Sequence, residues 1–216
     1  MPTQRKRPVK RRLQGATNLS PTEAAFVTEL PRKTVEQAID RGEVEPVPAE
    51  GSGANARGLD EPAVVYLRIR SEVGDLLTAK ARREMYRALR TEKPVRSRLE
   101  LGPIVVSTTE AVRQVRERMQ RLRRARAAVH ADPEIRGGEP VVRGTRIPVH
   151  MLADLKKAGE TRERILEDYP ALDAKLLEDA LLYASLNPRR GRPRAAPWHE
   201  RKPRRVLRAD GLRGGK

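Results

Sequence analysis

Residues 137–149 read GGEPVVRGTRIPV. Val141-Val142-Arg143 and Thr145-Arg146-Ile147 are two short extended stretches flanking Gly144, which supplies the positive φ that a tight turn demands. The pattern predicts a short β-hairpin. Pro148 has a fixed φ and no N–H, so it suits the start of a helix, expected over 149–158 and ended by Gly159. Downstream, Thr161 and Asp173 can accept hydrogen bonds from the first free N–H groups of two more helices. The first should run to Asp168, with Ile165, Leu166 and Tyr169 inward and Pro170 behind it. The second should run to Leu186, with Leu176, Leu177, Ala180, Leu181 and Ala184 as its buried stripe. Residues 131–187 therefore read as a three-helix, helix-turn-helix-like domain preceded by a short β-hairpin.

Upstream, Ser20-Pro21-Thr22-Glu23 has the capping-box pattern: hydroxyl and carboxylate each satisfy a backbone N–H at a helix start. A helix to about Thr28, a turn at Glu29-Leu30-Pro31 and a second helix from Arg32 to Arg41 follow, closed by Gly42. Ala24, Ala25, Val35, Ala38 and Ile39 face inward, which is helix-turn-helix geometry. Residues 43–58 read as an irregular hairpin or wing. Helices are expected over 62–72 and 75–90, with Val65, Leu67, Ile69, Leu76, Leu77, Met85 and Leu89 apolar. Residues 96–101 and 104–107 form a second hairpin around Gly102-Pro103. A long helix from Thr109 to about Val129 places Val112, Val115, Met119, Leu122 and Val129 on one seam, interrupted only by Arg126. That seam serves either packing within the chain or a dimer. Asp132-Pro133 breaks the helix.

The fold class is mainly α. Its parts are a basic arm (1–17), a winged helix-turn-helix-like domain (18–91), a hairpin with the long basic helix (92–130), the domain at 131–187, and a basic tail (188–216). Of 216 residues, 38% are apolar and 3% aromatic, enough for small helical cores but not for a large α/β enzyme. Without cysteine there is neither a disulfide framework nor a thiolate zinc site. Apolar runs fall far short of the roughly 20 residues that span a bilayer. No apolar stretch follows the basic N-terminus, so it does not read as a secretory signal, and the expected compartment is the cytoplasm.

The net charge of +17 calls for a polyanionic partner. Residues 1–12 contribute +6, 188–216 contribute +9, and 113–126, with seven arginines and one glutamate, another +6. The remainder sums to −4. His130, His150 and His199 are far apart and lack metal-ligand spacing, no Gly-rich loop fits a phosphate, and no catalytic constellation forms. The sequence thus argues for no enzyme, no cofactor and no metal.

Residues 137–184 resemble the domain-of-unknown-function family 433, the small domain of a set of bacterial VapB-type antitoxins. The resemblance rests on Gly138-Glu139-Pro140, on Arg143-Gly144-Thr145-Arg146-Ile147-Pro148-Val149, on Ile165-Leu166-Glu167-Asp168-Tyr169-Pro170, and on Ala180-Leu181 with Tyr183-Ala184. It covers about a quarter of the chain. The upstream half is similar, more loosely, to the N-terminal region of longer antitoxins in that group. The resemblance implies a dimerising, helix-turn-helix-like protein, probing operator DNA and neutralising a PIN-type ribonuclease toxin in a type II toxin–antitoxin system. The reading from another class is a stand-alone transcriptional regulator or nucleoid-type protein without a toxin.

Site residues follow. DNA contact is expected from Arg5, Lys6, Arg7, Lys10, Arg11 and Arg12 of the arm and from Arg32, Lys33, Thr34 and Gln37 of the second helix. Residues 131–187 carry eight basic and eleven acidic residues, an unfavourable balance for gripping phosphates. Gly138, Pro140, Arg143, Gly144, Thr145, Arg146, Ile147 and Pro148 are therefore read as turn or dimer residues. In the tail, residues 189–194 (RRGRPR) resemble an AT-hook core for a narrow minor groove. Alternatively Arg190, Arg192, Arg194 and Arg201 enter the acidic site of the nuclease, with Trp198 as an interface anchor.

Overall fold

Local capping sets the helix boundaries. The computed structural model describes residues 18–48, 57–91 and 97–189. Helix α1 (Pro21–Thr28) starts with the full capping box: the Glu23 N–H donates to Ser20 Oγ, and the Ser20 N–H donates to Glu23 Oε2 at 2.9 Å. Its last turn leads through Glu29, the one non-glycine residue at positive φ among those described (φ 59°), into α2 (Arg32–Asp40). Gly42, at φ 67°, closes α2 while the Glu43 N–H donates to the Ala38 carbonyl, the arrangement that lets a helix end without orphan carbonyls. Strands β1 (Val47–Pro48) and β2 (Arg57–Gly58) then pair antiparallel.

Helix α3 (Glu61–Val73) is capped by the Asp60 carboxylate. A 3₁₀ turn at Gly74–Leu76 separates it from α4 (Ala79–Thr91). The helix expected over 75–90 is thus shortened at its start, and Leu76, expected on an apolar face, is 78% exposed while Leu77 is buried. The reason is local: the break at 74–78 reverses the helical register that would have turned Leu76 inward. Strands β3 (Arg98–Leu101) and β4 (Ile104–Ser107) form the expected hairpin around Gly102-Pro103.

Helix α5 (Thr109–Ala127) packs on α1, α3 and the last helix, α8 (Ala174–Leu186). Its seam of Val112, Val115, Met119 and Leu122 is buried within the chain. Of the two uses open to that seam, packing is the one realised, and it is closed to a second copy. Arg126, the charge that interrupts the seam, is the notable member. Its guanidinium donates through Nε and Nη2 to Glu23 Oε1, at 3.0 and 2.8 Å, with the two side chains only 12% and 7% exposed. Glu23 therefore serves the start of α1 with one oxygen and the end of α5 with the other.

Strand β5 (Val129–His130) leaves α5 and pairs with β6 (Val141–Val142). The hairpin expected between 141–143 and 145–147 closes only as a single antiparallel bridge, Val141 with Pro148. Across the turn the Val142 N–H donates to the Ile147 carbonyl at 2.8 Å and the Val149 N–H to the Pro140 carbonyl at 3.0 Å. The Ile147 N–H is taken by Thr145 Oγ1 at 3.0 Å, and Pro148 has no N–H to extend a ladder. The other edge of β6 pairs with the chain leaving α5. Helices α6 (Val149–Lys157), α7 (Arg162–Asp168) and α8 follow as expected, with Thr161 and Asp173 accepting from Arg164 and Leu176 N–H.

Two cores result. One gathers residues from Leu19 to Leu122 and includes Leu186; the other gathers Val129, Val142, Val149, Leu152, Ile165, Leu172, Leu177, Ala180 and Ala184. Helix α8 belongs to both, packing on α6 along one side and on α5 and α1 along the other. Among the described residues no helix is long and apolar enough to cross a membrane.

Breaking a buried pair strands a desolvated charge. Glu23→Ala should therefore cost about 3–5 kcal/mol in urea unfolding, whereas Glu23→Leu with Arg126→Met should recover most of that loss. Additive effects of Glu23→Ala and Arg126→Ala in a double-mutant cycle would contradict the coupling.

Candidate functional site

Helix α2 has two faces. Val35, Ala38 and Ile39 are buried, while Arg32, Lys33, Gln37, Asp40 and Arg41 are exposed and Thr34 and Glu36 are half-buried. The expected contacts Arg32, Lys33, Thr34 and Gln37 thus fall together in the first two turns. Arg32 Nε pairs with Glu36 Oε1 at 2.8 Å, and Asp40 pairs with Arg57 of β2 at 2.7 Å, so the hairpin is pinned beside α2. Lys33 has no carboxylate partner among the described residues. Pro31 caps α2 without a side-chain bond. The face presents donors from Lys33 and Gln37 beside the Arg32–Glu36 and Asp40–Arg57 pairs.

The 137–149 segment is built as a turn and a clamp. Gly144 sits at φ 78°, and Thr145 N–H and Oγ1 both donate to the Val142 carbonyl, at 3.0 and 2.9 Å. A Cβ on Gly144 would meet nothing within 4 Å, so backbone conformation alone makes glycine the fitting residue. Arg143, though exposed, reaches back to the end of α5. Its Nε donates to the Ala127 carbonyl and its Nη2 to that of Val129, while its N–H donates to the Ala128 carbonyl at 2.8 Å. A cation here closes the negative end of α5. Pro140, whose carbonyl accepts from the Val149 N–H at 3.0 Å, and buried Pro148 hold the start of α6. Gly138 lies at positive φ beside Pro133, and Ile147 is half-buried against the second core. Of this group Arg146 alone presents an exposed charge without a described partner.

The arginines of α5 are mostly answered by acids, some on the helix itself and some from other elements. Arg113 pairs with Glu110 and Glu117, Arg118 with Glu29, Arg124 with Asp179 at 4.0 Å, and Arg126 with Glu23. Arg118 and Arg121 also stand over the Phe26 ring, each 5.9 Å from its centre. Arg116 lies 3.6 Å from Glu61, and Arg123 has no described partner. Those two, with Gln120 and Met119, line a cleft of about 420 Å³ against Glu61 at the start of α3. Sequence reading missed this cleft, because nothing in the spacing of arginines tells which will be neutralised by distant carboxylates.

His150 is mostly buried at the start of α6. Burial, then Arg189, hold its pKa below the ordinary histidine value against the opposing pull of Glu139 and Asp154, with Lys157 adding to the depression. Arg189 bridges Asp154 at 2.8 Å and Glu139 at 3.6 Å. Among the described residues no three His, Asp or Glu side chains gather as a metal site requires. Arg5, Lys6, Arg7, Lys10, Arg11, Arg12, Arg190, Arg192, Arg194, Trp198 and Arg201 lie outside the described residues.

Residues 129–184 match the family model described as "Protein of unknown function (DUF433)". An uncharacterized protein of Sinorhizobium fredii, y4eO, is 48% identical over 83 residues, which is 38% of this chain and 38% of that protein. The chain thus spans well under half the length of that curated relative. A crystal structure of a DUF433 member from Anabaena variabilis is 33% identical, covering 37% of this chain and 75% of that one, with a TM-score of 0.28. The crystal structure of Rv2018 from Mycobacterium tuberculosis is 20% identical, covering 75% of this chain and 96% of that one, with a TM-score of 0.30. At these TM-scores neither structure bears on the arrangement of this chain.

Arg143→Ala should lower stability by about 1–2 kcal/mol in thermal or urea unfolding, with Arg143→Lys, a cation without the fork, intermediate. No change would mean that the guanidinium does not close α5. His150 titrates lower in the fold than in the unfolded chain, so its contribution is present above the unfolded value of about 6.5. It is lost as pH falls through the folded value. Thermal midpoints measured from pH 7.5 to 5 should fall less steeply for His150→Gln than for the parent; parallel curves would remove His150 from the account.

Proposed function

We propose, from the premise that residues 129–184 are a DUF433 domain, that this protein is a DNA-binding antitoxin. In this reading it neutralises a PIN-type ribonuclease encoded beside it and represses its own operon, acting as a homodimer in the cytoplasm. The observation that carries the DNA-binding part is the paired helices α1 and α2, with Arg32, Lys33 and Gln37 outward and the β1–β2 hairpin tied alongside by Arg57 and Asp40. We read the pair as a winged helix-turn-helix, a motif whose second helix enters the major groove by its first turns. Specificity comes from that face. Most phosphate affinity comes from elsewhere, since the described residues hold 28 Lys and Arg against 25 Asp and Glu, a net +3 of the total +17.

The toxin-binding part rests on the resemblance of the 137–184 segment to antitoxin modules and on the charge beyond residue 189. Residues 190–216 carry ten basic and two acidic residues and Trp198, suited to the carboxylate-lined site of a metal-dependent nuclease. Arg189, anchored on Asp154 and Glu139, is where the described fold ends. Dimerisation, if α5 has no free seam, uses the domain at 129–184.

Removing residues 190–216 should abolish rescue of cells expressing the neighbouring nuclease while leaving the oligomeric state in light scattering unchanged. Full rescue by the truncated chain would overturn the tail mechanism. Absence of any nuclease frame beside the gene, with tight operator binding retained, would favour the stand-alone regulator.

A further inference from the structure

We propose that the cleft between the start of α3 and the outer face of α5, lined by Arg116, Gln120 and Arg123, grips the phosphate backbone of a DNA duplex. The inference rests on the DNA-binding reading above and adds a second contact surface that the sequence did not assign.

Charge accounting leads to it. Arg113, Arg118, Arg124 and Arg126 of α5 are spent on carboxylates of this chain, and Arg121 lies over Phe26. Arg123, without a carboxylate pair among the described residues, and Arg116, whose pair with Glu61 lies in the cleft itself, stand two turns apart on one exposed face with Gln120 between them. Seven residues of helix separate their Cα atoms by about 10 Å along the axis. Two like charges beside an open cleft repel one another and gain only when an anion enters. The single opposing group is Glu61, 3.6 Å from Arg116. Exposed pairs of this kind are worth at most about 1 kcal/mol, so a phosphate can replace the carboxylate. Guanidinium forks bind phosphate oxygens in pairs, and Gln120 adds an amide donor.

Position favours a duplex over an acidic peptide. Glu61 follows directly on β2 and the Asp60 cap, and Arg57 of β2 is bonded to Asp40 of α2. Leu19, where the chain coming from the basic arm enters the fold, pairs with Leu59 through two 2.8 Å bonds, two residues before Glu61. Base-reading face, hairpin, arm entry and cleft thus follow one another through direct contacts. A duplex, with a negative charge every 1.7 Å of its axis, can engage several of them at once.

The test is titration of the full-length protein and variants onto a labelled 30-base-pair random-sequence duplex between 50 and 200 mM salt. Arg116→Gln with Arg123→Gln removes the cleft's charge; Arg113→Gln with Arg164→Gln removes equal charge from exposed arginines already paired with carboxylates. The cleft variant should weaken binding and make the log–log salt slope shallower by about two, with the control close to the parent. Equal behaviour of the two variants would overturn the cleft while leaving the DNA-binding reading standing. No binding by the parent protein would overturn both.

Discussion

Everything else in this fold leans on one carboxylate. Glu23 accepts from the backbone and hydroxyl of Ser20 with one oxygen and from Arg126 with the other, so the start of α1 is fixed to the end of a helix 103 residues away. Both charges are nearly withdrawn from water, so neither partner can be given up alone without exposing the other to the full desolvation penalty. The pair therefore specifies more than it stabilises. It sets the register in which α5 lies on α1, and Arg143 then closes the same end of α5 from the other side. The two devices meet within the last turn of α5, which is why the DUF433 turn and the N-terminal helix pair are parts of one packing problem.

The same accounting changes what the basic composition means. A helix with seven arginines in fourteen residues looks like a nucleic-acid stripe, yet in the fold five of them pair with Glu23, Glu29, Glu61, Glu110, Glu117 and Asp179. Glu23, Glu29, Glu110 and Asp179 belong to the remainder that sums to −4. The described residues are close to electrically balanced; Lys33, Arg123 and Arg146 are exposed cations among others outside any carboxylate pair there, and Arg116 has only Glu61. Those positions, rather than the arginine-rich stretch as a whole, carry the proposed binding chemistry.

Local chemistry was legible in the sequence. Ser20, Thr161 and Asp173 cap the helices whose starts they mark, Gly42 and Gly144 sit at positive φ, and α1, α2, α6, α7 and α8 fall within a residue or two of their expected bounds. Long-range pairings were not. Nothing local tells that Val129-His130 leaves the helix to complete β6, or that Arg143 turns back on α5 rather than outward to a partner. Arg126 was the one available signal: a charge in an otherwise apolar seam must meet an opposite charge or break the packing. Its partner could not be chosen among so many carboxylates without the fold. For the candidate site, the α2 face was readable from periodicity, whereas the Arg116–Arg123 cleft depends on which carboxylates come near.

Helix α8 completes the coupling, because Leu186 enters the first core while Leu177, Ala180 and Ala184 fill the second. A chain joined in this way should open as a single unit rather than as two domains on a linker. Native-state hydrogen exchange across a denaturant series measures that directly. The account predicts that the protected amides of α1, α5 and α8 converge on one opening free energy, equal to that of global unfolding. Full protection of α6 and α8 at denaturant concentrations where α1 and α5 exchange freely would contradict it.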